Sequence, residues 1–306
     1  MMSKRFLGTT RCQINKFLKY DPIPFLVDSH QPAWVKYQTL VKILQKPEDD
    51  SEVLLFREKR DNSAQVARLR TKQNQDGSFP CLPWMHIHKY YFHQLLEMGY
   101  NLEDFAIKKA AENLLNYQLP NGGYMHPCGR YVNEPNPSVG WAACVTGYVT
   151  YALLELGFQN DDRVKSVIEF IYNEQRQNGG WICNTNGFYS PYCIKSGTPW
   201  IFLCLAVSGR INTDDKIAQR TLTIFEKHKN KIIRHGYMRD RFYRCDESLV
   251  LPALKLIGLT NKSNLVKDFS RSLIKKQYAN GSWYFGEKPS AWYTLEVLKA
   301  LNHVFE

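Results

Sequence analysis

The chain has 306 residues, 44% hydrophobic and 13% aromatic, so it can bury a large core, and it lacks the run of roughly 18 apolar residues that predicts a membrane span. Eight cysteines are too sparse for a disulfide scaffold and are expected to be reduced thiols. The net charge of +11 comes from scattered basic residues, which allows an anionic partner but forms no stripe for nucleic acid.

The first residues predict an intracellular protein. Met1 to Gly8 carries two basic residues, but the polar run Thr9 to Gln13 stands where a signal peptide needs an apolar stretch. We therefore expect a cytoplasmic protein, with peripheral contact to a membrane surface as the alternative. The stretch Met1 to Tyr20 is expected to form a helix. The oligomeric state is left open.

A short signal recurs along the chain and divides it into repeats. It consists of a Gln, three residues, a Gly, a small residue and an aromatic. Its copies run over the ranges Gln73–Phe79, Gln118–Tyr124, Gln175–Trp181 and Gln277–Trp283. The last interval is about twice as long as the others, and a decayed copy lies within it, from His228 to Tyr237. Self-similarity at this spacing predicts a stack of repeated supersecondary units.

Each repeat predicts a pair of helices. An apolar segment such as Trp141–Leu156 ends at a Gly, which is typical of a buried helix and its stop. An amphipathic segment such as Asn160–Gln175 follows, with apolar residues spaced by three and four. We therefore predict a buried inner helix and a half-exposed outer helix in every repeat. The inner segments begin near Trp34, His86, Val139, Cys193, Asp246 and Ala291.

Six pairs wound round one axis predict an all-α fold, an α/α toroid or (α/α)6 barrel. Residues 1–306 would form one domain, in which the helix over about 1–20 completes the outer ring. An open solenoid is the competing architecture. The aromatic inner segments favour closure around a cavity.

The repeated Gln-x-x-x-Gly-Gly/Ser-aromatic pattern resembles the repeat of the α/α-toroid proteins. These include the squalene/hopene and oxidosqualene cyclases and the protein prenyltransferase β subunits. The chain also looks like small microbial prenyltransferase/squalene-oxidase-repeat proteins, with Asp21–Leu26 and Trp34–Leu40 in the first repeat. The resemblance implies that the Gln amide caps a neighbouring helix and that the aromatic stacks on it.

The resemblance implies a fold more firmly than a reaction, because the toroid hosts several activities. The Asp-x-Asp-Asp motif that supplies the acid of the class II cyclases is absent from the sequence. The Asp-x-Cys zinc motif of the protein prenyltransferases is absent too. The acidic pairs Asp49-Asp50, Asp161-Asp162 and Asp214-Asp215 are interpreted as caps of outer helices.

Soft metal ligands recur near the starts of the inner segments. His86, Cys144 and Cys245 stand at the same distance before the Gly that ends each segment, and Cys193 lies one turn from that position. One hypothesis is that two or three neighbours among them bind Zn²⁺ as a cofactor, since this ion takes thiolate and imidazole ligands. The alternative is packing, because Cys is also a small hydrophobe. Cys81 and Cys183 occupy matching loop positions, where we expect packing.

Aromatic side chains crowd the same segments and are candidates for the wall of a cavity. Their π faces would stabilise a carbocation on a folded polyprene, although aromatic residues at helical spacing also form ordinary cores. Together with nearby basic residues they make the predicted substrate-binding set: Trp34, Tyr37, His88, Tyr91, Trp141, Tyr148, Lys195, Trp200, Arg241, Arg244, Trp292 and Tyr293.

Asp246 and Glu247 are the candidate catalytic acids. They stand at the start of the fifth inner segment, where a carboxyl in a dry pocket can donate a proton. Arg241 and Arg244, with Lys195 one repeat earlier, would hold an anionic head group. The alternative is that Asp246 caps its helix.

Three functions follow from these features. The first is a terpene cyclase or prenyltransferase-like protein that handles an isoprenoid in a central aromatic-lined cavity. The second is a noncatalytic toroid that binds a lipid or a peptide. The third is a zinc-dependent prenyltransferase-like enzyme or a zinc-stabilised scaffold.

Overall fold

Helices alternate between an inner and an outer position along the chain, as the repeats predict. The computed structural model describes residues 17–79, 88–124, 141–181, 184–185, 188–189, 193–234 and 246–305. Over these residues the inner positions are occupied by α2 (Ala33–Gln38) with a π-helical turn (Thr39–Ile43), α5 (His88–Glu97), α7 (Ala143–Glu155), α9 (Cys193–Val207), α11 (Glu247–Leu256) and α13 (Ala291–Phe305). The outer positions are occupied by α3 (Ser51–Asp61) with α4 (Ala64–Arg70), α6 (Phe105–Asn116), α8 (Asp162–Asn173), α10 (Lys216–Arg234) and α12 (Asn264–Lys275). The short helix α1 (Ile23–Val27) precedes them.

Burial separates the inner helices from the outer ones. Eleven of the thirteen residues of α7 are buried, so this helix is covered on every side. The outer helix α12 buries only one stripe, including Leu265, Phe269 and Leu273. That spacing places the stripe on one face of the helix. The structure is therefore the predicted all-α toroid, with an apolar ring inside an amphipathic one.

Acidic residues cap the outer helices. Asp50 accepts hydrogen bonds from the backbone N–H groups of Glu52 and Val53, and Asp161 accepts one from Arg163. Asp215 accepts one from Ile217 at 2.7 Å. These contacts satisfy N–H groups that have no partner within the helix. The interpretation of the acidic pairs as caps is confirmed.

The repeated Gln ties each repeat to the next outer helix. Gln175 Nε2 donates to the carbonyls of Gly179, in its own turn, and Ile217, in the first turn of α10, both at 2.9 Å. Gln73, Gln118 and Gln277 bond their own turns in the same way and reach Ala106, Arg163 and Tyr20, respectively. One side chain thus joins two successive repeats.

The Gly and the aromatic of the signal determine how closely neighbouring outer helices approach its turn. Gly179 has a φ of 87°, and a Cβ atom there would lie 2.5 Å from the carbonyl oxygen of Arg220. Only Gly fits such a turn without strain. Trp181 is fully buried, and its indole N–H donates to the carbonyl of Ile171 at 2.6 Å, near the end of the preceding outer helix. Trp283 donates in the same way to Leu273 at 2.7 Å.

The last repeat closes on the start of the described chain. Gln277 Oε1 accepts from the backbone N–H groups of Lys19 and Tyr20, and α1 packs against α13. Residues 17–21 therefore meet the fifth outer helix where the other repeats place a sixth. The predicted helix over about 1–20 falls mainly on residues outside the described ranges.

Three local features were not predicted from the sequence. The first inner helix changes to a π-helix over Thr39–Ile43, and Gln45 follows it with a φ of 52°. Two antiparallel hairpins follow Trp181 and Trp283: β1 (Asn184–Thr185) with β2 (Phe188–Tyr189), and β3 (Tyr284–Phe285) with β4 (Lys288–Pro289). Strands of two residues are too short to leave a periodic pattern.

Along the described ranges, no helix combines the length and apolarity needed to cross a lipid bilayer.

Candidate functional site

A cavity of about 460 Å³ lies at the centre of the ring. Every inner helix contributes to its wall. One residue from each in chain order is Lys42, His93, Glu155, Leu203, Leu249 and Lys299. The volume falls within the usual range of small-molecule sites, about 300–1,000 Å³.

The middle of the cavity is apolar and aromatic. Trp200 of α9 and Trp292 of α13 line it, with Leu203, Leu249 and Pro252 between them. Tyr148 supports this wall, because its ring meets Trp200 edge-on at 5.1 Å between centroids. Aromatic and aliphatic walls of this kind bury an apolar chain and attract a cation over the ring faces.

Charged residues gather where the inner helices end, and this end of the cavity is called the mouth. It comprises Lys42, Glu155, Glu296, Lys299 and His303. Lys299 Nζ lies 3.0 Å from Glu296 Oε1. The inner helices run in the same direction, so their carboxyl ends meet at the mouth and favour positive charge there.

Glu155 is a carboxyl of the mouth whose pKa is raised. Burial among surrounding protein atoms raises its pKa, and the nearby charges of Lys299, Lys42 and His303 act against that shift. Glu296 adds to the rise by charge repulsion. A larger share of Glu155 is therefore protonated at a given pH than for an ordinary Glu. By surface area the residue is exposed at the mouth.

His93 is positioned by its own helix. Its Nε2 lies 2.6 Å from Glu97 Oε1, one turn further along α5. Its ring meets that of Tyr148 edge-on at 5.0 Å between centroids. The residue lines the cavity with its orientation fixed from two sides.

Asp246 stands behind the cavity wall at the start of α11. It is 2% exposed, and its Oδ1 accepts hydrogen bonds from the backbone N–H of Ser248 at 2.9 Å and the Ser248 hydroxyl at 2.5 Å. Ser248 itself lines the cavity. Asp246 therefore caps its helix and is joined to the cavity through one side chain.

Glu247 faces the outer ring. Its carboxylate contacts Lys276 Nζ at 2.7 Å and accepts a hydrogen bond from the Ser272 hydroxyl. Burial raises the pKa of Glu247, while Lys276 acts against the rise. The two neighbouring carboxyls thus have different environments.

The structure separates the predicted substrate-binding residues into two groups. Trp200 and Trp292 line the central cavity. The other members with described side chains pack between helices: Trp34, Tyr37, Tyr91, Trp141, Tyr148 and Tyr293. Tyr37 illustrates this packing, because the Arg60 guanidinium lies 4.4 Å from its ring centroid. The sequence pattern marked these residues as inner without showing which face of the helix each one occupies.

Several predicted residues lie outside the described part of the chain. They are His86, Arg241, Arg244 and Cys245, and only the backbone is described for His88, Cys193 and Lys195. Cys144 is 3% exposed on α7 and is not among the residues that line the central cavity. Within the described ranges, no three His, Cys, Asp or Glu residues are grouped as metal ligands would be. The zinc hypothesis stays a prediction about the remaining residues.

Sequence reasoning missed the residues of the mouth. Glu155 is the one charged residue in the mainly apolar segment Trp141–Leu156. A single charge in such a segment could have marked it as a candidate functional residue. Lys299 and His303 are spaced by four on α13 and so share a face. Lys42 left no such signal, because a π-helical turn changes the spacing around it.

A closed ring of paired helices around an aromatic cavity defines an α/α toroid of the cyclase type. The chain belongs to the squalene-hopene cyclase C-terminal domain family, whose model matches residues 55–210. No curated protein is significantly similar to this chain.

Solved structures of type II terpene cyclase MstE from Scytonema share the fold over almost their whole length. An apo form of a variant gives a TM-score of 0.55 at 14% identity, covering 97% of this chain and 99% of that one. A variant in complex with the product merosterolic acid A gives 0.54 at 15% identity, covering 97% and 99%. A variant in complex with the substrate geranylgeranyl dihydroxybenzoate gives 0.54 at 14% identity, covering 97% and 98%. At such identities the likeness concerns the fold alone.

Proposed function

We propose that this protein binds an isoprenoid chain in the central cavity and cyclises it, with Asp246 as the proton donor. The observation that carries the proposal is the aromatic and aliphatic wall, to which every inner helix contributes. Along α13 the lining extends from Trp292 to His303, which is about 16 Å at a rise of 1.5 Å per residue. That shape suits an extended apolar chain. The structures with bound prenyl substrate and product agree with this ligand class.

The chemistry follows from Asp246 and the aromatic wall. A proton passes from the carboxyl through the Ser248 hydroxyl, which lines the cavity, to a terminal C=C bond, where a C–H bond and a carbocation form. The next C=C bond attacks that cation and closes a ring. Loss of a proton to solvent then breaks a C–H bond beside the cation, forms a new C=C bond and ends the reaction. Trp200 and Trp292 stabilise the cation over their faces. The two hydrogen bonds from Ser248 stabilise the carboxylate that remains on Asp246.

Incubation with farnesyl, geranylgeranyl and squalene substrates tests the proposal through new cyclic products. Asp246→Asn should lower the rate of product formation at least about 100-fold, which is the usual contribution of a positioned acid. Asp215→Asn is the matched control, because Asp215 caps an outer helix through the same kind of hydrogen bond. Product formation by Asp246→Asn at the wild-type rate would refute the role of Asp246.

A noncatalytic lipid-binding toroid is the second candidate. It is favoured by the capping role of Asp246 and by the ion pair of Glu247 with Lys276. In that case the protein binds the same chains with no turnover, and lipid copurifies with it.

The zinc hypothesis requires two or three neighbours among Cys144, Cys193, Cys245 and His86 to approach one another. Metal analysis after expression with zinc tests it. A stoichiometric amount of zinc that is lost in Cys144→Ser would support it, and a metal-free active protein would exclude it.

A further inference from the structure

His93 is a basic side chain on the wall of the central cavity that has no part in the steps described so far. It lines the cavity from α5, the second inner helix. Ser248 lines the cavity from α11, the fifth inner helix. The second and fifth positions face each other in a ring of six, so His93 stands across the cavity from the Ser248–Asp246 pair.

The depth of His93 in the cavity follows from the repeats. Tyr151, Leu203 and Pro252 also line the cavity, and each stands at the same distance before the Gly that ends its inner helix as His93 does. Ser248 comes one turn earlier on its helix, which is about 6 Å further from the mouth at a rise of 1.5 Å per residue. His93 therefore brings an imidazole into a layer of aromatic and aliphatic residues, between the proton donor and the mouth.

Glu97 prepares His93 to accept a proton. His93 Nε2 lies 2.6 Å from Glu97 Oε1, and the two side chains are 17% and 7% exposed. A carboxylate beside Nε2 favours the neutral ring with its proton on Nε2, so that Nδ1 carries the lone pair. The same carboxylate stabilises the imidazolium ion, because a charge withdrawn from water needs a partner of opposite sign.

Tyr148 connects this pair to the aromatic wall. Its ring meets the His93 ring edge-on at 5.0 Å and the Trp200 ring edge-on at 5.1 Å between centroids. Under the proposed function, Trp200 stabilises a carbocation. The imidazole therefore stands close to the place where the cation is held, and imidazole is a stronger base than a water molecule.

We propose that His93 is the base that ends the cyclisation, with Glu97 as its positioning residue. The proposal rests on the proposed function and assigns the last proton of that reaction. The C–H bond beside the final cationic carbon breaks, its electron pair becomes the new C=C bond, and the proton joins Nδ1 of the neutral imidazole. The imidazolium ion then releases the proton to solvent through the mouth.

A base at a fixed position selects one C–H bond, and so one alkene. Without it, the proton leaves from several carbons next to the cation, or water adds to the cation and forms an alcohol. The identity of the products therefore reports on His93, whereas the total rate reports on the proton donor Asp246.

The product mixture of His93→Phe tests the proposal, because Phe keeps an aromatic ring in the wall and has no basic nitrogen. Wild type and variant are incubated with farnesol, geranylgeraniol and squalene, and the products are identified by gas chromatography and mass spectrometry. We expect the share of the main wild-type alkene to fall at least about tenfold, replaced by isomeric alkenes and hydrated products. His30→Phe is the matched control, since His30 pairs with Asp28 at 2.8 Å on the surface, and it should leave the mixture unchanged.

Chemical rescue separates a base from a structural residue. In His93→Ala, added imidazole should restore the main alkene, and in His93→Phe it should not, because the new ring fills the space. Glu97→Gln keeps the shape of the partner without its charge and should change the mixture in the same direction by a smaller factor. The melting temperature of each variant shows whether it is folded, and His93→Ala and Glu97→Gln serve should His93→Phe fail to fold.

The outcomes separate this proposal from the proposed function. An unchanged product mixture in folded His93→Phe and His93→Ala would overturn the base and leave the cyclisation intact. An equal loss of all products in these variants, without rescue by imidazole, would also overturn it. No cyclic product from the wild type with any of the three substrates would overturn both.

Discussion

The turns that contain the repeated Gln, Gly and aromatic residues are called the rim of the toroid. The rim repeats the same residue types, whereas the central cavity does not. At the rim three positions recur: a Gln that bonds the neighbouring segment of the ring, a Gly in a left-handed turn, and a buried aromatic. In the cavity the inner helices present side chains of different chemistry, for example Lys42, Trp200 and Glu155. Repetition therefore stabilises the ring, and under the proposed function the variation within it specifies the ligand.

This comparison predicts that substitutions at the rim change stability and that substitutions in the cavity change binding. The largest effect is expected for Trp181→Ala. It deletes a fully buried side chain and the hydrogen bond to Ile171, and it should lower the free energy of unfolding by about 3–5 kcal/mol. Chemical denaturation measures the change. At low temperature the folded variant should bind geranylgeraniol with the wild-type affinity.

Trp200→Ala is the counterpart in the cavity. It should lower the affinity for geranylgeraniol about tenfold or more, because it removes an aromatic wall from the site. If Trp181→Ala weakened binding as much as Trp200→Ala in folded protein, the separation between rim and cavity would be lost.

Gly179→Ala is expected to have the next largest effect. The new Cβ atom would meet the carbonyl of Arg220, which should cost about 1–3 kcal/mol beyond the strain of a left-handed residue. Gly209 is the matched control, with a φ of 69° and open space around a Cβ atom. The difference in unfolding free energy between the two Ala variants isolates the close approach. Equal costs would mean that conformation alone explains the Gly.

Gln277→Ala tests the closure of the ring. It removes the hydrogen bonds to the backbone of Lys19 and Tyr20, which are partly buried, and it should cost about 1 kcal/mol. Hydrogen exchange should increase locally over Ile23–Val27. Gln73→Ala, which breaks a tie between repeats elsewhere, should leave exchange in that segment unchanged. Uniform exchange changes in both variants would argue against a local closure.

The smallest effect is expected for Glu155→Gln and depends on pH. The pKa of Glu155 is raised above its ordinary value of 4.5 in the folded protein, so the folded state binds more protons than the unfolded one just above that pH. This contribution to stability is present below 4.5 and is lost as the pH rises through the raised pKa. As the pH rises from 4.5 to neutrality, the free energy of unfolding of Glu155→Gln should therefore fall less than that of the wild type. Parallel curves of unfolding free energy against pH would contradict the shift.

The sequence predicted the rim well because the rim is periodic. The inner segments expected near Cys193 and Ala291 begin at those residues, and the one expected near Asp246 begins at Glu247. The Gln and Gly positions were found from repetition alone. Their partners, such as Ile217 and Arg220, were not, since they lie in the next repeat and carry no signal of their own.

The cavity was predicted less completely because it is not periodic. Trp200 and Trp292 were expected there, but Tyr37 and Trp141 were expected beside them and pack elsewhere. A residue on an inner helix has several buried faces available, and hydrophobicity does not distinguish them. Glu155, Lys42 and Lys299 were not predicted, because they lie beyond the starts of the inner helices, where the candidate residues were expected.

Photolabelling tests the central claim most directly. A geranylgeranyl probe with a diazirine on the chain, activated in the folded protein and mapped by mass spectrometry, should modify Trp200, Leu249 and Trp292, and excess geranylgeraniol should prevent this. Labels confined to outer helices such as α8 and α10, or labels that excess geranylgeraniol does not reduce, would contradict an isoprenoid chain enclosed by the inner ring.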